Sequence, residues 1–177
     1  MNLFARRIGT TLLLRHDLQA IGTAFADGNF VIEVLDQADA DLLSQVNPDI
    51  DRALEIAKFA AGLTCYVARA DGRLAHYSWV QDSGRHLIGG AGRKRRVREG
   101  DLWIHACFTA AWARGRHLYP AVLGRILQDY KARGFRTAWI YVLDSNLASQ
   151  QGIRRAGFEL VSRLRSLSVR GWNIPLL

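Results

Sequence analysis

The chain has 177 residues, 49 % of them hydrophobic and 23 % charged. That length holds one packed domain and is short for two, so residues 1–177 are read as a single domain. The composition excludes a disordered, collagen-like or coiled-coil chain. With 24 basic against 16 acidic side chains the net charge is +8, and it is unevenly spread. Residues 1–48 carry three basic and six acidic side chains, residues 93–98 (Arg-Lys-Arg-Arg-Val-Arg) contribute +5, and residues 99–177 carry eleven basic and five acidic ones. The second half is therefore suited to meeting anions. No stretch approaches the roughly 20 apolar residues of a membrane span, so no membrane partner is expected. Cys65 and Cys107 lack metal-type spacing, which points to a reducing compartment and to no metal site. Arg6 and Arg7 precede only a short apolar run at Leu12 to Leu14, with no small-residue cleavage site after it. A cytoplasmic location is the expectation.

In chain order, Thr10 to Arg15 reads as a first strand. Asp39 to Val46 and Asp51 to Ala61 read as short helices, each opened by an acidic residue. Thr64 to Ala70 and Arg73 to Val80 are strands joined by Asp71-Gly72, a tight-turn pair. A basic, glycine-rich segment over 83–100 separates them from a strand at Asp101 to Thr109. Pro120 sits in the first turn of a helix whose stripe is Val122, Leu123, Ile126, Leu127 and Tyr130, ended by Gly134. The apolar run Thr137 to Leu143 suits a strand buried on both faces. Ser145 or Asn146 caps a helix to Ala156, Gly157 follows it, and Phe158 to Val169 is the last strand. The order predicts an α/β fold: one mixed β-sheet flanked by helices.

The junction Thr109-Ala-Ala-Trp-Ala-Arg-Gly-Arg-His-Leu-Tyr-Pro120 takes the chain from a strand to a helix through Arg114 and Gly115. A helix N-terminus presents unpaired N–H groups and partial positive charge, and phosphates bind there readily. This loop, the strand after it, and Asn146 followed at the family's spacing by Gly157-Phe158 together resemble the GNAT superfamily of N-acetyltransferases. The resemblance covers roughly residues 50–169 and is strong over 101–158. It implies the GNAT acyl-CoA N-acyltransferase fold, a mixed sheet splayed between the family's fourth and fifth strands. The pantetheine arm of acetyl-coenzyme A (acetyl-CoA) would lie in the splay and an amine would enter from the opposite side. It gives Arg114, Gly115, Arg116, His117, Leu118 and Tyr119 the pyrophosphate loop. Thr109 takes the strand position facing the thioester and pantetheine, and Asn146 the start of the helix flanking the cofactor arm. His117 and Tyr119 stand where glycine, or glycine and alanine, are usual. Ile153 replaces the tyrosine that commonly protonates the departing thiolate.

Acylation of an amine needs a base. Strand alternation places Asp101, Trp103, His105, Cys107 and Thr109 on one face. His105 is the candidate base, Asp101 or Glu99 could bind a substrate cation or cap a loop, and His76 is a second histidine better read as a satisfied surface residue. Cys107 is read as a small buried hydrophobe rather than a nucleophile. Tyr119 and Tyr141 are candidates for the missing acid, with packing as the alternative. Trp79 and Trp103 could line an acceptor pocket. The run Arg93–Arg98 is a solvated loop, a contact for the 3′-phosphate of coenzyme A, or a dock for an acidic acyl carrier protein.

The resemblance implies direct transfer of an acetyl group from acetyl-CoA to a primary amine of a small molecule, an amino sugar or amino acid. The alternatives are an acyl-carrier-protein-dependent N-acyl amino acid synthase on the same fold, a catalytically inactive GNAT-fold interaction protein, and a nucleic-acid-binding protein. The last is favoured by a pI near 10.2 and disfavoured by the lack of a binding motif. A homodimer is left open.

Overall fold

A computed structural model describes residues 7–20, 29–169 and 172–176. Its strands are β1 (Arg7–Asp17), β2 (Phe30–Val34), β3 (Thr64–Ala70), β4 (Arg73–Gln81), β5 (Arg85–Ile88), β6 (Arg93–Arg96), β7 (Asp101–Thr109), β8 (Thr137–Leu143), β9 (Glu159–Val169) and β10 (Trp172–Pro175). The α-helices are α1 (Arg52–Ala60), α2 (Leu118–Ala132) and α3 (Leu147–Arg155). The first expected helix is instead a 3₁₀ segment, Gln37–Gln45, capped by Asp36. Among the described residues, eight strands form one sheet in the order β10-β9-β1-β8-β7-β4-β3-β2. Only β7 and β8 run parallel; the other neighbours are antiparallel.

β1 lies in the sheet interior, paired on one side with β8 (Leu13↔Tyr141) and on the other with β9 (Leu13↔Ser162). Its sequence suits that place, because apolar side chains go to both faces: Leu12 and Leu14 join the main core and Leu13 a smaller one. The β3–β4 hairpin turns at Asp71 and Gly72, both at positive φ, as a two-residue hairpin turn requires. All five residues of the predicted α2 stripe are fully buried against the sheet.

Two expectations are corrected. Segment 83–100 folds into the β5–β6 hairpin, which lays Ile88, Ala91 and Val97 over Leu13, Trp103 and Leu164 as a second small core. β8 alternates rather than being buried throughout: Ala138, Ile140 and Val142 are buried, whereas Thr137, Trp139 and Tyr141 are half-buried and Leu143 is exposed. The reason is coverage. Ala138, Ile140 and Val142 belong to the main core, while the hairpin only partly roofs the opposite face.

Two irregularities position the site. The β7–β8 ladder runs from Asp101↔Thr137 to Ile104↔Ile140 and then stops, although both strands continue. The sheet therefore opens between residues 105–109 and 141–143. On the other side of β7, the register with β4 shifts between Trp79↔His105 and Tyr77↔Phe108, a β-bulge at Ala106, whose φ is +48°. A bulge adds one residue and re-aims the side chains that follow it.

Candidate active site

The bulge divides the residues that simple alternation put on one face. His105 pairs with Trp79 and lies on the side of α1 and the β5–β6 hairpin. Beyond Ala106, Thr109 pairs with His76, and Cys107 faces Ser78 and Tyr119 on the side of α2. The single-face expectation is thereby overturned: one inserted residue places His105 and Cys107 on opposite sides of the sheet, at the point where β7 and β8 part.

On the α2 side, the loop from Thr109 to Pro120 ends at His117, which adopts a left-handed conformation (φ 59°, ψ 17°) with no side-chain cap for the helix. That is the conformation glycine adopts without strain, and histidine is among the residues that tolerate it. No amide from Gly115 to Tyr119 has a hydrogen-bond acceptor among the described residues. Gly115 has φ +80°, and a Cβ there would meet nothing within 4 Å. The loop therefore offers open amides at the positive end of a 15-residue helix. Arg114 Nε donates to the Thr109 carbonyl at 3.4 Å, Arg116 grips Asp71 at 2.6 and 3.3 Å, and Arg155 lies 2.9 Å from His117 Nδ1. Leu118 is buried in the core. Open amides with arginines around them are a chemistry that fits a diphosphate.

Tyr119 extends inward from this loop. Its hydroxyl lies beside Cys107 and Ser149, and burial pushes its pKa well above the usual phenol value. Its ring lies over Gly152 of α3, where a Cβ would come within 2.6 Å of Tyr119 Cδ1. Ile153 is buried. Asn146 caps α3 by accepting from the Ser149 amide at 3.1 Å, which fixes the helix against this side of the opening. Burial raises the Cys107 thiol to about 11, so it stays protonated, as suits a packing residue. His76 is buried rather than at the surface, and both its ring nitrogens are engaged, with Thr109 Oγ1 at 2.7 Å and Ser78 Oγ at 2.8 Å. Tyr141 is on the other side, its hydroxyl donating to the Leu87 carbonyl at 3.4 Å.

On the α1 side, His105 stands next to His86 with ring centroids 4.8 Å apart, and His86 stacks on Trp103. His86 Nδ1 is 2.9 Å from Gln81 Oε1. Burial, helped by His86 and Lys58, lowers the His105 pKa to about 3; burial alone lowers that of His86 to about 4. Both are neutral imidazoles at pH 7. Trp79 is roofed by Phe59 and Lys58 of α1, and Lys58 pairs with the buried Glu55 at 2.6 Å. Four buried polar atoms around this face have no partner among the described residues: Glu55 Oε2, Trp79 Nε1, His86 Nε2 and His105 Nε2. Buried groups left unpaired are costly, and several on one face suit a polar ligand. His86, Glu55 and Lys58 were missed in the sequence because nothing local marks them; they are gathered by the hairpin and by α1.

Asp101 is brought together with none of these. It lies four residues back along β7 from His105, about 13 Å, and accepts from Trp139 Nε1 at 3.2 Å. Glu99 is exposed, and its carbonyl accepts from Arg136. The run Arg93–Arg98 lies beside Asp101 and Trp103, on the face away from α2.

Neither a protein-family model nor a curated protein matches the sequence. Solved structures do. An acetyltransferase from the GNAT family of Colwellia psychrerythraea superposes with a TM-score of 0.66 at 12 % identity over 94 % of this chain and 57 % of its own. A GCN5-related N-acetyltransferase from Sphaerobacter thermophilus gives 0.66 at 16 % identity over 93 % and 51 %. The yncA protein of Salmonella typhimurium, solved with its cofactor acetyl-CoA, gives 0.57 at 16 % identity over 76 % and 82 %. The chain thus spans little more than half the length of the first two. No described helix is long and apolar enough to cross a membrane. In sheet order, in the parting of its parallel strands and in likeness to these structures, the chain has the GNAT N-acetyltransferase fold.

Proposed function

We propose that this chain is an N-acyltransferase that moves an acetyl group from acetyl-CoA directly to the primary amine of a small molecule, such as an amino acid or amino sugar. The observation that carries the reading is the opening between β7 and β8, with open loop amides and Tyr119 on one side and the unpartnered His105 on the other. Acetyl-CoA, when bound, supplies an activated acyl thioester. The amides from Gly115 to Tyr119 would hold its diphosphate, with Arg114 adding charge. On the opposite side His105 Nε2 accepts a hydrogen bond from the amine and orients its lone pair. An imidazole held near pKa 3 is too weak to take a proton from a free ammonium ion. It can take one from the nitrogen as the new C–N bond forms and that nitrogen becomes acidic. Tyr119 retains its proton through the pH range of enzyme action, so its hydroxyl could protonate the coenzyme A thiolate released as the thioester C–S bond breaks, in place of the tyrosine that Ile153 replaces.

Calorimetry with coenzyme A, acetyl-CoA and a purified acyl carrier protein tests the reading. One acetyl-CoA should bind per chain, and amines should then be acetylated in its presence. Absence of binding by any coenzyme A derivative at millimolar concentration would reject the enzyme reading. Transfer from the acylated carrier alone would replace acetyl-CoA as the donor.

A further inference from the structure

The proposed transfer leaves unused a groove at the beginning of β7, on the face away from α2. It has a volume of about 450 Å³ and lies between β6 and the sheet. Lys94, Arg95, Arg96 and Arg98 line it together with the indoles of Trp103 and Trp139. The two indoles stack at 5.8 Å with their planes 18° apart. None of the four cations has an ion-pair partner among the described residues. The neighbouring Arg93, by contrast, donates to the Leu176 carbonyl at 2.8 Å. The acidic side chain lining the groove is Asp101, which holds the Trp139 indole N–H through one oxygen.

Four cations on one short hairpin repel one another, and a bound polyanion removes that repulsion. Charge alone would be served by the open surface, whereas here the cations border a cavity of ordinary small-molecule size with aromatic walls. A ligand that uses both parts carries several negative charges and a flat ring. The second oxygen of Asp101 adds an acceptor for an amino or hydroxyl group. The groove is also remote from the donor loop, since Trp103 and Thr109 pair with Gln81 and His76, five residues apart on β4, about 17 Å.

We propose that this groove binds a nucleoside polyphosphate, its phosphates on Lys94, Arg95, Arg96 and Arg98 and its base against the half-buried Trp139, which the buried Trp103 backs. The test titrates the whole chain with ATP by calorimetry and by tryptophan fluorescence. One ATP should bind per chain at submillimolar concentration and quench the fluorescence, more weakly as salt rises. Adenosine and inorganic triphosphate should each bind at least tenfold more weakly. A variant carrying Lys94→Gln, Arg95→Gln, Arg96→Gln and Arg98→Gln, shown by circular dichroism to be folded, should lose at least tenfold in ATP affinity. Gly115→Val should leave ATP binding intact. The proposal is overturned if ATP fails to saturate at millimolar concentration, or if inorganic triphosphate binds as well as ATP. It is equally overturned if Gly115→Val abolishes binding, which would place the nucleotide at the donor loop. Preferential binding of oligothymidylate with a site of several nucleotides would make the face a nucleic-acid surface instead.

Discussion

His105 is a neutral ring beside His86 whose Nε2 has no partner among the described residues. Because burial holds its pKa near 3, His105 contributes no acid limb to the rate near pH 6.5. His105→Ala should lower kcat by roughly 10²–10⁴ while acetyl-CoA affinity stays within about twofold, by stopped assay and calorimetry. An inflection near pH 6.5 that disappears in His105→Ala would contradict the buried, neutral assignment. At His117 the relevant quantity is backbone strain. Its left-handed conformation costs a residue with a Cβ about 1–2 kcal/mol, partly offset here by the contact with Arg155. His117→Gly should raise stability by up to about 1 kcal/mol in urea unfolding and leave acetyl-CoA binding unchanged or tighter. Both residues were legible as candidates in the sequence. The ring partner His86 was not, because it arrives on a hairpin that only tertiary contacts hold in place.

Among the elements, β7 and the loop after it carry most of the candidate site. Gly115 sits at φ +80°, so Gly115→Val forces a β-branched side chain into a left-handed backbone and disturbs the open amides. Coenzyme A binding should weaken at least tenfold, about 1.4 kcal/mol, and Arg114→Ala should cost less, being one charge among several amides. The contact of α2 with α3 makes a separate prediction. Tyr119 occupies the loop position where small residues are usual, and Gly152 opposite it leaves the ring its room. Gly152→Ala should destabilise by about 1–3 kcal/mol through overpacking, and adding Tyr119→Ala should recover part of that loss. Equal, additive losses in the two single variants would show that the residues do not interact. The departure at Tyr119 was visible in the sequence. Its compensation at Gly152 was not, since the pair is 33 residues apart and joined only by packing.

For the whole molecule, burial of histidines sets the response to acid. Burial holds His76, His86 and His105 near pKa 3, 4 and 3, all below the ordinary imidazole value of 6.5. The unfolded chain therefore binds protons that the folded one refuses. Their contribution to stability is complete above about pH 6.5 and falls as the pH drops toward 3–4. Each proton so refused adds a slope of ~1.4 kcal/mol per pH unit within that window. Urea unfolding between pH 4 and 7 should show stability rising with pH. The triple variant His76→Gln, His86→Gln, His105→Gln should show a shallower rise whatever its absolute stability.

The sequence by itself determined the elements whose signals are local. The stripe from Val122 to Tyr130 with Gly134 after it defined α2, Asp71-Gly72 defined the β3–β4 turn, and Asn146 with Gly157 bounded α3. These hold because a helix face, a cap or a tight turn is specified by residues within a few positions of one another. The tertiary structure alone decided the place of β1 between β8 and β9, the bulge at Ala106, and the covering of the sheet by β5 and β6. Strand neighbours are chosen by contacts far apart in the chain. An alanine fits a regular strand as readily as a bulge, so the period of two along β7 carried no mark of the inserted residue. That residue puts Cys107 and Thr109 on the face opposite His105, because an added position reverses every side chain after it.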